Sequence, residues 1–183
     1  MRSSRGSETS SIENDAANQR QYLTFFLADE QYAVGVLSVK EIIEYGIVTK
    51  VPTTPPYIRG VINLRGSVVP VIDLAVKFGL PAVPVSRRTC IVIMETTLVG
   101  ERVVMGIVAD AVSQVIQFSP QDIEPAPAFG TSVRLEHLEG MGKLGTKFVL
   151  ILNMDHVFAA DDPVVSLTGQ SFSTQPSEGL SLS

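Results

Sequence analysis

The side chains that could transfer protons, attack a substrate or bind a metal are few in this sequence. Its 183 residues include two histidines, His137 and His156, and one cysteine, Cys90. A zinc site needs such ligands in closely spaced groups, and these three residues do not provide that spacing. Each histidine is expected at the surface, and Cys90 lies in an apolar run typical of a buried strand, where a thiol is a small hydrophobe. The sequence therefore predicts no metal site and no enzyme.

The glycines of the segment Gly-Met-Gly-Lys-Leu-Gly, residues 140–145, do not form a nucleotide-binding loop. The segment matches no phosphate-loop or dinucleotide fingerprint and lacks the strand-to-helix setting that such loops require. We predict a β-hairpin there and no cofactor. The acidic pairs Asp161/Asp162 and Asp122/Glu124 are typical of a solvated surface. An enzyme that uses unrecognised loop carboxylates is an alternative, which turnover by the purified protein would reveal.

A different kind of chemistry is indicated by residues 59–74, which form two apolar strands joined at Arg65-Gly66. Period-two alternation predicts that Asn63 and Arg65 share one strand face. Gly66 can supply a positive φ at the turn. A guanidinium at a rigid strand end is a good anchor for a partner's carboxylate or carbonyl groups. The alternative is an ordinary hairpin whose arginine is solvated.

The elements that must position these residues are short strands separated by Gly and Pro, which is typical of barrels or a sandwich. Hydrophobic residues make up 45% of the chain, enough for a packed core. Helical spacing or an N-cap acid favours short helices at 36–43, 73–78 and 154–160. Predicted strands cover residues 22–27, 31–36, 47–51, 61–65, 67–72, 89–95, 102–108, 113–118, 140–144 and 147–152.

The charge pattern limits the classes of partner. The net charge is −5, with 14 basic and 19 acidic residues and no run of Lys or Arg. Nucleic acid and anionic membrane surfaces are therefore disfavoured as partners. No uninterrupted apolar run is long enough for membrane insertion, and a lone cysteine fits a reducing compartment, so we expect a cytoplasmic protein. Residues 1–19 and 161–183 are poor in large apolar residues and are predicted to be disordered arms.

Two internal similarities indicate a repeated unit. A shift of 71 residues places residues 30–36 on 101–107, with matching Glu and Gly. A shift of 80 residues places residues 60–78 on 140–158, with matching Gly, Leu, Val and Phe. If the repeat is real, the domain consists of two similar small barrels, because these shifts are too long for a solenoid or a propeller blade.

Asn-Leu-Arg-Gly followed by Val-Val-Pro-Val-Ile-Asp-Leu resembles the signature of the CheW-like chemotaxis coupling proteins. The order of the other motifs agrees over residues 20–160, from Tyr-Leu-Thr-Phe-Phe-Leu to the closing Lys-Phe-Val-Leu-Ile-Leu. The resemblance implies an all-β fold of two intertwined five-stranded SH3-like β-barrels that share a hydrophobic core, with a few short helices. The barrels would span roughly residues 22–80 and 86–155, with strand exchange between them.

The same resemblance implies a non-catalytic scaffold without cofactors. It would couple the cytoplasmic tips of methyl-accepting chemoreceptors to the regulatory domain of the histidine kinase CheA, at receptor arrays on the inner membrane. Family contacts map onto Glu41 and Arg65, and the motif positions Val39, Asn63 and Gly66 complete the expected partner-binding set. The alternative function is a stand-alone β-barrel module that binds a peptide or ligand outside any receptor array.

Overall fold

The computed structural model describes residues 20–127 and 133–168, which form mainly β-strands. The strands are β1 Arg20–Leu27, β2 Glu30–Gly35, β3 Val39–Glu44, β4 Ile58–Leu64, β5 Ser67–Ile72, β6 Cys90–Leu98, β7 Glu101–Ala109, β8 Ala111–Phe118, β9 Ile123–Glu124, β10 Leu138–Leu144 and β11 Lys147–Leu152. The helix α1 spans Leu74–Lys77, and 3₁₀ turns lie at Val36–Ser38, Pro120–Asp122, Leu135–His137, Met154–His156 and Pro163–Leu167. Within these ranges no helix is long and apolar enough to cross a membrane.

The strands form two sheets, and each sheet combines strands from both halves of the chain. The first sheet has the order β8-β1-β2-β11-β10-β9, and the second has the order β3-β6-β7-β5-β4. The hairpin β1–β2 therefore pairs with strands of the second half, while the hairpin β6–β7 pairs with strands of the first half. This reciprocal exchange intertwines the two sheets, and the predicted all-β class is confirmed.

The internal similarities of the sequence correspond to equivalent places in the two sheets. Strand β2 pairs in parallel with β11, and β7 pairs in parallel with β5. The hairpins β4–β5 and β10–β11 each carry a register shift beside a glycine, Gly60 in one and Gly140 in the other. At both glycines a Cβ would collide with the backbone of an adjoining segment, at Thr49 and Glu124 respectively. The same glycine thus permits the same close approach in each sheet.

The core has a shared part and a separate part for each sheet. The shared cluster includes Phe25 and Tyr32 from the first sheet with Ile72, Met94 and Met105 from the second. A smaller cluster within the first sheet contains Tyr22, Ala33, Ile116, Phe118, Val149 and Ile151. The corresponding cluster in the second sheet contains Ile62, Val69, Val71, Ile91, Ile93 and Val108. The two sheets are therefore packed across one hydrophobic layer, as expected from the resemblance.

Two local predictions are wrong. Residues 36–43, expected to be helical, form only the turn Val36–Ser38 before strand β3, which pairs with β6. The β-branched residues of this segment favour a strand once an edge is available for pairing. Residues 47–51, expected to be a strand, contribute a single bridge from Thr49 to Val61.

The C-terminal end of the described chain also differs from the sequence expectation. Residues 161–168 were expected to belong to a disordered tail, but they pack against the domain. Val164 is fully buried, and the buried Asp162 carboxylate caps the turn Pro163–Leu167 by accepting a hydrogen bond from the Val164 N–H. The buried Val164 side chain and the hydrogen-bonded Asp162 carboxylate anchor this turn. The expected disorder of residues 1–19 and 169–183 concerns residues outside the described ranges.

Candidate functional site

The turn between β4 and β5 positions the arginine that the sequence singled out. Leu64 pairs with Ser67, so Arg65 and Gly66 form a two-residue loop. Their φ values are +51° and +86°, which is the pattern of a type I′ hairpin turn. The Asn63 side-chain oxygen accepts a hydrogen bond from the Gly66 N–H at 2.8 Å. Asn63 and Gly66 thus hold the turn that carries Arg65.

This geometry corrects the expectation that Asn63 and Arg65 share one face of a strand. Strand β4 ends at Leu64, and Arg65 lies in the turn with a positive φ. Period-two alternation does not extend through a chain reversal, because it depends on extended backbone. The direction of the Arg65 side chain is therefore set by the turn.

Arg65 forms a forked ion pair with Glu41 on strand β3. The Arg65 Nη1 atom lies 2.7 Å from Glu41 Oε2, and Nη2 lies 3.1 Å from Oε1. The hydrogen bonds from the Glu41 carboxylate raise the pKa of Arg65 above its ordinary value. The Arg65 side chain is 74% exposed, whereas that of Glu41 is 27% exposed. Arg65 is therefore largely exposed to solvent while it is paired with a less exposed carboxylate.

The ion pair helps to line a groove of mixed polarity, named here the Arg65 groove. This groove has a volume of about 570 Å³ and is lined by Leu64, Val68 and Val103 together with the ion pair. Val68 is 39% exposed. Apolar and charged side chains also occur side by side in many protein–protein interfaces.

A second group of charges borders the Arg65 groove. Arg102 Nε lies 2.9 Å from Glu95 Oε1, and Lys40 Nζ lies 3.7 Å from Glu95 Oε2. Sequence reasoning missed this group. Glu95 and Arg102 flank the short turn between β6 and β7. Opposite charges at the facing ends of the predicted strands 89–95 and 102–108 were the available signal.

The expected partner-binding residues do not all lie together. Glu41 and Arg65 line the Arg65 groove, and Asn63 and Gly66 shape its edge. Val39 instead pairs with Met94 and packs against the shared core. The register shift between Val39 and Glu41 separates the two positions.

The surface position expected for His137 is wrong. Its side chain is 14% exposed, and its ring stacks on Phe78 with centroids 5.9 Å apart. Burial lowers the pKa of His137, and its Nδ1 atom has no hydrogen-bond partner among the described residues. His156 is exposed beside Asn153. Cys90 is partly buried in β6, and burial raises its pKa. Within 20–127 and 133–168, no cluster of His, Cys, Asp or Glu is arranged to hold a metal.

Comparisons with known proteins agree with this arrangement. Residues 21–162 match the family model of the CheW-like domain. The chain is 37% identical over 143 residues to the chemotaxis protein CheW of Klebsiella aerogenes, covering 78% of this chain and 84% of that protein. It is 31% identical over 126 residues to protein FrzA of Myxococcus xanthus, covering 69% and 76%.

A solved structure shows the same architecture. The scaffolding protein TtCheW of Thermoanaerobacter tengcongensis superposes with a TM-score of 0.71 at 33% identity, covering 79% of this chain and 92% of that one. The intertwined sheets, the exchange of hairpins and the match over residues 21–162 lead to one assignment. This chain belongs to the CheW-like domain family and has its SH3-like β-barrel fold.

Proposed function

We propose that this protein is a non-catalytic scaffold that couples methyl-accepting chemoreceptors to the histidine kinase CheA in bacterial chemosensory signalling. The observation that carries the proposal is the forked Arg65–Glu41 pair in a groove lined by apolar and charged side chains, in a chain of the CheW-like family. The relatives named as chemotaxis and scaffolding proteins support the same role.

The ion pair makes Arg65 suited to partner recognition. A guanidinium carries five N–H donors, and Glu41 takes two of them, so the others are free to reach partner oxygens. The planar guanidinium fork of an arginine also loses less conformational entropy per hydrogen bond formed than a lysine side chain does. The exposed Val68 adds apolar contact area beside these donors.

A scaffold with two partners needs two contact surfaces, and the structure offers a second groove. This seam groove, of about 720 Å³, lies between the two sheets and is lined by Val36, Leu37, Met94 and Leu152 among others. Leu37 is fully exposed there. One groove would receive the cytoplasmic tip of a receptor and the other the regulatory domain of the kinase. Such a protein works in the cytoplasm, recruited to receptor arrays at the inner membrane.

The proposal is tested by titrating the full chain against a receptor cytoplasmic fragment and against the regulatory domain of CheA. Arg65→Ala is the test variant, and Lys143→Ala near the equivalent turn of the other sheet is the matched control. The Arg65 variant should lose about thirtyfold in affinity for one of the two partners, as a truncated hot spot does. The control should bind both normally. If the unmodified chain binds neither partner, the proposal is refuted and a stand-alone binding module is favoured.

A further inference from the structure

Part of the Arg65 groove is formed by residues that follow the matched family domain. The turn Pro163–Leu167 lies beside β5, the strand that begins directly after the turn carrying Arg65. Thr168, the next residue, is buried and lines the groove together with Val68. The family match ends at residue 162, so Thr168 adds to the groove a wall that the family model does not include.

A buried carboxylate fixes the beginning of this turn. Asp162 accepts hydrogen bonds from the Tyr57 hydroxyl at 2.8 Å, from Lys77 Nζ at 3.0 Å and from the Val164 N–H at 3.0 Å. Lys77 Nζ also lies 4.4 Å from the centroid of the Tyr57 ring. Hydrogen bonds to an ionised group are stronger than those between neutral groups. The turn therefore starts from a point that is held by both charged and neutral donors.

Hydrogen bonds within the turn connect Asp162 to Thr168. The Asp162 carbonyl accepts a hydrogen bond from the Val165 N–H at 2.9 Å. The Val165 carbonyl in turn accepts hydrogen bonds from the Thr168 N–H at 3.3 Å and from the Thr168 hydroxyl at 2.8 Å. Val164 is fully buried in the shared core, and Leu167 packs against it. The place of Thr168 in the groove wall is therefore set through the turn.

The groove offers two kinds of contact to a partner. Both donors of Thr168 are used within the turn, so this residue supplies apolar contact and hydroxyl lone pairs. Arg65 keeps the N–H donors that Glu41 does not take. The groove therefore suits a partner segment that places an apolar side chain against Val68 and Thr168 and an oxygen acceptor on Arg65.

We propose that Thr168 contacts the partner that binds at Arg65, and that Asp162 is the residue that positions Thr168. The contact rests on the proposed function, because it needs a partner in the Arg65 groove, whereas the positioning does not. The partner site of this protein then extends beyond the family domain into its C-terminal turn.

The contact is tested by titrating Thr168→Ala and Ser166→Ala against the receptor cytoplasmic fragment and the regulatory domain of CheA. The two changes are matched, because each removes a hydroxyl that donates to a carbonyl of the turn at 2.8 Å, but Ser166 is exposed outside the groove. Thr168→Ala should lose about fourfold in affinity for the partner that Arg65→Ala weakens, as expected for one buried methyl group. Ser166→Ala should bind both partners normally. Unchanged binding by Thr168→Ala, or an equal loss in both variants, would overturn the contact.

The positioning is tested in the free protein by amide chemical shifts. Asp162→Asn should shift the amides of Thr168 and Val68, whereas Asp161→Asn, at the exposed neighbouring position, should leave them in place. Tyr57→Phe removes one hydrogen bond and keeps the ion pair, so it should shift the same amides less and decides the question if the Asp162 variant does not fold. Groove amides that match those of the unmodified chain would show that Asp162 does not position Thr168.

A last comparison separates positioning from a general loss of stability. Asp162→Asn should weaken the same partner at least as much as Thr168→Ala, and the double variant should lose no more than Asp162→Asn alone. Gly140→Ala, which strains the other sheet, should leave this affinity unchanged. An equal loss in Gly140→Ala would assign the effect to stability and contradict the positioning. If the unmodified chain binds neither partner, the proposed function and the contact both fail, and the amide shifts still decide the positioning.

Discussion

Arg65 and Glu41 meet across the two edges of one sheet. Glu41 lies on β3 and Arg65 follows β4, the strands at opposite ends of the order β3-β6-β7-β5-β4. Their 2.7 Å contact therefore joins edges that share no backbone hydrogen bonds in the sheet. The contact brings Glu41 and Arg65, which are 24 residues apart in the sequence, into one site.

This relationship predicts how Arg65 and Glu41 behave together. If Glu41 acts on a partner by holding the Arg65 fork, then Arg65→Ala and the double variant Arg65→Ala/Glu41→Ala should weaken binding equally. Glu41→Ala alone should weaken it less, and Arg65→Lys should fall between the Ala variant and the unmodified chain because it lacks the fork. Titration calorimetry against the receptor fragment and the kinase domain would measure the four variants and the unmodified chain.

Two results would contradict that prediction. Additive losses in the double variant would mean that Glu41 contacts the partner independently of Arg65. Unfolding of Arg65→Ala would mean that the pair mainly holds the sheet closed, which is not expected of an exposed ion pair.

The buried Asp162 carboxylate, the last residue of the matched family domain, is predicted to contribute to stability by anchoring the turn that follows it. Asp162→Asn keeps the size of the side chain but weakens its bonds to Lys77 and Tyr57, so unfolding should become easier by about 1–3 kcal/mol. Asp161→Asn, at the exposed neighbouring position, is the control and should be close to neutral. Urea denaturation of the full chain measures both, and equal midpoints for the two variants would show that the carboxylate does not anchor the turn.

The burial of His137 predicts a stability that depends on pH. Burial favours the neutral ring and lowers the pKa of His137 in the folded chain. Lys77 and Arg134 act in the same direction, while Glu136 opposes them. The unfolded chain therefore takes up a proton first, and stability should fall as the pH decreases below the ordinary histidine value of about 6.5.

The measurement compares urea midpoints at neutral and mildly acidic pH. His137→Gln should lose less stability on acidification than the unmodified chain, because it cannot take up the proton. His156→Gln, which changes an exposed histidine, should behave as the unmodified chain does. If stability depends on pH in the same way in all three proteins, titratable groups other than His137 cause the dependence.

Replacement of either of the equivalent glycines, Gly60 or Gly140, is predicted to lower the stability of the protein. A methyl group at either position would collide with the backbone of an adjoining segment, and Gly60 also has a φ of +142°. Replacement by Ala should therefore destabilise each sheet by about 2 kcal/mol or more. Gly35→Ala, where the added carbon meets nothing within 4 Å, is the control. Thermal unfolding measures all three variants. A Gly60→Ala variant that melts at the same temperature as the unmodified chain would contradict the prediction and show that the Thr49 segment can move away.

The local pattern of the sequence was sufficient for most strands and for the class of fold. The hairpins β4–β5 and β10–β11 agree with the sequence prediction because alternation and Gly-containing turns act over a few residues. The N-cap of α1 was predicted for the same reason, and Asp73 accepts a hydrogen bond from the Val76 N–H. The motif around Arg65 also indicated the family, which the comparisons confirm.

Tertiary structure alone decided the rest. Residues 36–43 have helical spacing, yet β3 forms because the edge of β6 is available for pairing. The contact of Arg65 with Glu41 depends on which strands become the sheet edges, and the burial of Asp162 depends on where Tyr57 and Lys77 are placed. These outcomes are pairings between distant segments. Periodicity shows which face of an element is apolar, but it does not show which distant segment will pack on that face.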